Sequence, residues 1–119
     1  MSADMGLIDW VAEATEPLGT LTKRAMMGGM TLYLDGAVFA MVDEDVVWFK
    51  SDGESDALWD GEGCVRFTYV MNGKSGSMNY RRAPDDVYDD AEAMLRWARL
   101  AQEAGIRGAA KKKPRKPKA

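Results

Sequence analysis

The chain has no histidine and only one cysteine, Cys64, in 119 residues. The missing histidine removes the commonest general base and the commonest metal-ligating side chain. With one thiol, no Cys/His zinc site can be assembled and no internal disulfide can form, which fits a reducing compartment. A nucleophilic Cys64 would lack a histidine partner, so it is expected as a small apolar filler. No apolar run approaches the ~20 residues of a membrane span. The opening residues Met1 to Leu7 contain no basic region of the kind that begins a signal peptide. These absences predict a cytoplasmic protein with no enzymatic activity, no cofactor, no metal and no membrane contact.

What is present suits one small domain. Apolar residues make up 46% of the chain, enough for a single core. The net charge of −3 hides a split. Arg107, Lys111, Lys112, Lys113, Arg115, Lys116 and Lys118 lie among residues 107–119 with no acid beside them. The remaining nine basic residues face 19 acidic ones, which leaves the body at −10. An acidic body and a basic Lys/Pro/Ala tail need separate explanations. The tail cannot bury anything and is expected to be disordered.

Periodicity orders the rest. Leu7, Trp10, Val11 and Ala14 follow helical spacing, and Pro17 and Gly19 end that helix. Asp35-Gly36 between two apolar runs is a type I′ hairpin signal, and Asn72-Gly73 is a second. A two-residue turn at Asp35-Gly36 would pair Leu34 with Ala37, Leu32 with Phe39 and Met30 with Met41, and place those six on the core face. The second hairpin would pair Phe67 with Met78 and Met71 with Lys74. Val46–Lys50 adds a strand, and residues 53–61 a short helix. Asp89 is read as an N-cap with Glu92 completing a capping box. A helix follows to about Ala104, with Ala91, Met94, Leu95, Ala98 and Ala101 facing inward and Gly105 as its C-cap. The expected architecture is α+β: a two-layer sandwich with a five-stranded antiparallel sheet in the order α-β-β-β-α-β-β-α. Residues 1–106 form the domain and 107–119 the tail.

The segment from Arg24 to Ala40 also carries a family pattern. Arg24, Met26, Gly28, Gly29, Leu32, Tyr33, Asp35, Gly36, Phe39 and Ala40 occur in order. Lys50, Gly63, Phe67, Tyr69, Met78, Tyr80, Pro84, Asp90, Leu95, Trp97 and Ala98 continue it. Over about residues 5–104 the chain resembles the N-terminal domain of the TfoX/Sxy family of bacterial competence regulators. Met27 stands where the family usually has Phe. The basic tail stands where full-length members carry a helical C-terminal domain. The resemblance implies a fold similar to type III secretion chaperones and a non-enzymatic role in transcription, through contacts with an activator or polymerase. It transfers no catalytic residue.

The remaining motifs are weighed against plainer readings. Gly28-Gly29 is expected as a sharp strand entry, where a Cβ would clash, before an anion cradle. Gly73-Lys74-Ser75 lacks the first glycine of a P-loop, since Thr68 occupies that position. Asp43-Glu44-Asp45, Asp85-Asp86 and Asp89-Asp90 lack the spacing of a calcium loop and read as solvated turns and helix starts. Tyr33, Tyr69 and Tyr80 would suit a base-stacking platform, but the acidic body argues for packing or a protein interface. Arg24, Arg81 and Arg82 near strand ends are expected as surface charge, with a shared basic patch as the sharper alternative. The seven basic residues of the tail would bind nucleic acid without sequence preference. The leading expectation is a transcription-associated binding protein with a protein partner. Non-specific nucleic-acid contact through the tail and homodimerisation through the Tyr33/Val38 sheet face or an edge strand accompany it. The alternative is a secretion-chaperone-like module that binds a client peptide.

Overall fold

A computed structural model describes residues 4–26 and 28–111. Met27, and with it the family's Phe position, lies outside the described residues, as do Lys112, Lys113, Arg115, Lys116 and Lys118 of the tail.

Helix α1, Met5–Ala14, starts where the Asp4 carboxylate accepts from the Leu7 N–H at 3.2 Å. Its buried stripe is Ile8, Val11 and Ala14, with Leu7 and Trp10 half-covered at its flank. A short 3-10 turn, Glu16–Leu18, leads into β1, Leu21–Met26. Strands β2 (Gly29–Leu34), β3 (Ala37–Asp43) and β4 (Val46–Lys50) follow, then helix α2, Asp56–Gly61. Strands β5 (Arg66–Met71) and β6 (Lys74–Arg82), a 3-10 turn and helix α3, Ala91–Lys111, complete the order.

The fold is α+β, with one antiparallel sheet in the strand order β1-β2-β3-β4-β6-β5. Among the described residues it has six strands where five are expected. The additional strand is β1, whose middle residues Thr22 to Ala25 are all exposed. An edge strand with almost no buried residue gives no alternating apolar signal, so nothing in its composition marks it.

Both hairpin turns form as expected. Asp35 and Gly36 have φ of 50° and 88°, and Asn72 and Gly73 of 55° and 77°, the left-handed pair that a type I′ turn requires. The register beyond the first turn is corrected. Leu34 pairs with Ala37 and Tyr33 with Val38, but then Leu32 pairs with Ala40 and Met30 with Val42. A β-bulge at Phe39 inserts one residue, so the strand shifts face beyond it. Phe39, Ala40 and Val42 enter the core with Leu32 and Leu34, while Met41 joins Thr31 on the opposite face. In the second hairpin Met71 pairs with Lys74 as expected, but the ladder is irregular between Arg66 and Thr68, so Phe67 has no regular partner there.

Helix α3 is also corrected. Asp90, not Asp89, is its N-cap: its carboxylate accepts from Glu92 N–H at 2.9 Å and Ala93 N–H at 3.3 Å. The inward stripe is Ala93, Met94, Ala98, Ala101 and Ala104, with Ala91 exposed. Gly105 does not end the helix, which continues through Gly108 to Lys111.

All three helices lie on one side of the sheet. The core between the layers contains Leu32, Leu34, Phe39, Val42, Val47 and Phe49 from the sheet and Trp59 of α2. Trp59 stacks on Phe49 at 5.6 Å and packs on Trp97 of α3 at 5.0 Å. Among the described residues, no helix lies on the other side of the sheet.

Candidate functional site

The glycines and Asp35 of the Arg24–Ala40 segment are structural. Gly28 turns the chain with φ 84°. A Cβ on Gly29 would lie 2.5 Å from the Val42 carbonyl oxygen, so only glycine fits. The Asp35 carboxylate accepts from Thr20 N–H at 2.9 Å and tethers the hairpin turn to the start of β1. Phe39 is fully buried, and Trp97 packs against Trp59.

The three arginines Arg24, Arg81 and Arg82 do not form a patch. Arg24 lies on edge strand β1, with β2, β3 and β4 between it and β6. Arg81 turns into the helix side and is buried. Its guanidinium donates to Asp60 at 2.6 Å and to the Cys64 carbonyl at 2.9 Å, and pairs with Asp56 at 3.2 Å. Arg66 meets the same Asp56 at 3.3 Å, so the α2 carboxylates pin that helix to β5 and β6. Sequence reasoning could not see this, because an arginine on a strand does not announce which face it takes. Cys64 sits beside this network and is 5% exposed. Burial, with a contribution from Glu62, pushes its thiol pKa up against the pull of Arg81. Cys64 is therefore held as the neutral thiol, and as the apolar filler expected of it.

Arg107, assigned to the tail, is engaged within the domain. Its Nε and Nη2 donate to the two Asp52 carboxylate oxygens at 2.7 and 3.0 Å, with Glu54 at 3.4 Å. The Arg107 hydrogen bonds hold the Asp52 carboxyl well below the usual carboxylate range; burial opposes this, and Ser55 assists it. A depressed carboxylate pKa adds stability that is complete above the unfolded value of about 3.9 and is lost as pH falls from there through the folded value. Arg107→Gln is therefore expected to cost about 1 kcal/mol at neutral pH. The gap to the parent should close towards pH 2, as urea unfolding at several pH values would show. An undiminished gap in acid would exclude the pair as its source.

Three surfaces are open. At the N-terminal end of α1, a groove of about 630 Å³ lies between Trp10, Tyr88 and Arg82, with Asp4 and Asp45 at its rim. Both rings are fixed: Trp10 Nε1 donates to the Val87 carbonyl at 2.9 Å, and Val47 N–H donates to the Tyr88 hydroxyl at 2.9 Å. The second surface is the outer edge of β5, where Val65, Val70 and Met71 are 58%, 74% and 54% exposed. The third is the helix-free side of the sheet, whose centre is closed by Thr31, Met41 and Tyr80 but where Tyr33 and Tyr69, on the same face as Tyr80, remain half-exposed. Tyr80 is nearly buried, and burial pushes its pKa up, with Tyr33 adding to the effect. Among the described residues, no group of three or more Cys, Asp or Glu side chains converges on a metal-binding arrangement. No described helix is long and apolar enough to cross a membrane.

A six-stranded antiparallel sheet covered on one side by three helices defines a small α+β domain. The chain belongs to the TfoX N-terminal domain family, whose model matches residues 13–105. It is similar to DNA transformation protein TfoX1 of Aliivibrio fischeri, with 35% identity over 63 residues that cover 53% of this chain and 30% of the relative. It is also similar to protein Sxy of Escherichia coli K12, with 26% identity over 90 residues that cover 76% of this chain and 43% of the relative. The match thus spans less than half the length of either relative.

Proposed function

We propose that the protein works in the cytoplasm as a non-enzymatic, transcription-associated accessory factor that contacts a protein of the transcription machinery or an activator. The observation that carries this reading is the outer edge of β5. It combines unpaired strand backbone with the exposed side chains of Val65, Val70 and Met71. Such an edge takes up a partner strand through main-chain hydrogen bonds, with the apolar side chains adding selectivity. Membership of the TfoX N-terminal domain family supports the direction of the reading. Lys111, Lys112, Lys113, Arg115, Lys116 and Lys118 supply weak, sequence-independent affinity for nucleic acid. Six phosphate contacts would give a salt slope of about −5 on duplex DNA.

The test is affinity capture from the native cell with the full chain, a Val70→Lys variant and a chain truncated after Lys111. Recovery of polymerase or an activator that is lost with Val70→Lys supports the reading. Recovery of a secreted client favours the chaperone-like alternative, and recovery of a second copy of this chain makes the edge a dimer interface. An electrophoretic shift of duplex DNA at low salt that survives truncation would sink the role given to the tail.

A further inference from the structure

Charge is segregated by layer. The six strands carry seven of the 16 basic residues of the chain and one of its 19 acidic residues, Asp43. The net charge of the body therefore says little about the sheet. Arg66 and Arg81 face the helices and are paired with Asp56 and Asp60. Directly paired residues in neighbouring strands share a face. Arg24 opposite Thr31, Lys50 opposite Tyr80 and Lys74 opposite Met71 therefore lie on the helix-free side, whereas Arg82, at the end of β6, reaches the groove beside Trp10 and Tyr88. Arg24, Lys74 and Arg82 make no ion pair among the described residues.

The same side presents aromatic rings. Trp48 meets Phe67 edge-on at 5.0 Å, and the Lys50 ammonium lies 5.3 Å from the centre of the Tyr80 ring. A Cβ on Gly76 would fall 2.7 Å from Cζ and the hydroxyl of Tyr69. The hydroxyl end of the Tyr69 ring thus lies against the glycine backbone of the neighbouring strand, and Tyr69 stays half-exposed. Tyr33 borders a shallow groove of about 360 Å³ with Thr22, Lys23 and Arg24. The face is also concave. Met26 of β1 lines one small cavity with Phe67 of β5 and Met78 of β6, so the two margins of the sheet curl towards each other.

We propose that this concave, helix-free face binds single-stranded nucleic acid, with phosphates on Arg24, Lys50 and Lys74 and bases stacked on Tyr33 and Tyr69. Cationic grooves with outward-facing rings bind single strands in this way, because every unpaired base offers a flat surface. A duplex keeps its bases stacked on one another and would leave the rings unused. An acidic peptide would satisfy the charges alone. The site does not involve the tail; it shares strand β5 with the edge but uses Tyr69 on the sheet face rather than the unpaired edge backbone.

The experiment is fluorescence anisotropy with the full chain at low salt, using a labelled oligothymidylate of about 15 nucleotides. Four variants are compared: Tyr69→Ala, Tyr69→Phe, Arg24→Glu combined with Lys74→Glu, and a tail variant with Lys112, Lys113, Arg115, Lys116 and Lys118 changed to Gln. Circular dichroism melts check that each variant folds. Tyr69→Ala and the double charge reversal are expected to weaken binding about tenfold, with Tyr69→Phe retaining it and the tail variant losing less. Loss in the tail variant alone would overturn the proposal, as would equal affinity for duplex, equal competition by a polyglutamate peptide, or no binding at low salt. Any of these negative results leaves the protein-capture test at the β5 edge standing.

Discussion

Gly105→Ala is expected to destabilise the protein by about 1–2 kcal/mol, although alanine is the better helix former. Gly105 lies inside α3, and a Cβ there would fall within hard contact of the Val38 carbonyl oxygen. Two effects compete. Helix propensity favours alanine by about 1 kcal/mol. Against it, α3 must lift off the β3 backbone next to the bulge, and overpacking of this kind costs about 1–3 kcal/mol, occasionally more. The clash is with main chain, which has no rotamer to yield, so the clash wins. Gly108 supplies the internal control. It lies in the same helix with nothing within 4 Å of its would-be Cβ, so Gly108→Ala should stabilise by up to about 1 kcal/mol. Urea unfolding of both variants decides the matter. Shifts of the same sign would mean that α3 does not cross β3 at Val38.

Trp59→Ala should cost about 3–5 kcal/mol, the range for a fully buried large aromatic. Trp59 has no exposed surface and lies between Phe49 of β4 and Trp97 of α3. It is the one large core side chain supplied by the six-residue α2, so its truncation leaves a void that neither the sheet nor α3 can fill. In a domain of this size each kcal/mol corresponds to about 4–8 °C in melting temperature. Trp59→Phe should be much milder, at about 1–2 kcal/mol, because the Trp59 indole N–H has no hydrogen-bond partner among the described residues to lose. Thermal melts that place the alanine variant within a few degrees of the parent would contradict the packing described for α2.

Local chemistry was legible. Asp35-Gly36 and Asn72-Gly73 announced both hairpins, because few residue pairs tolerate two successive left-handed conformations. The apolar stripes of α1 and α3 gave their inward faces in part: Ile8 was passed over in α1, and in α3 Ala91 and Leu95 were included while Ala93 and Ala104 were passed over. Strand β1 was not legible, because Leu21–Met26 lies at an edge and buries almost nothing. The bulge at Phe39 was not legible either. A run of six apolar residues from Ala37 to Val42 reads equally well in either register, and the pairing with β2 is not visible in it. At the candidate nucleic-acid face the residues were visible one by one. Tyr33, Tyr69 and Tyr80 stood out, but the acidic total masked the fact that acids are confined almost wholly to helices and turns.

Taken alone, the sequence settled the absence of histidine chemistry, the two tight turns, the class of fold and the family pattern. Each depends on residue identity or on neighbours a few positions apart. Tertiary structure decided which face each strand residue takes, where α3 crosses the sheet, and that Arg81 is consumed by Asp56 and Asp60 while Arg24, Lys74 and Arg82 are not. Those outcomes depend on pairing between segments tens of residues apart. A one-residue shift in such pairing moves a side chain from core to solvent, and composition does not register it.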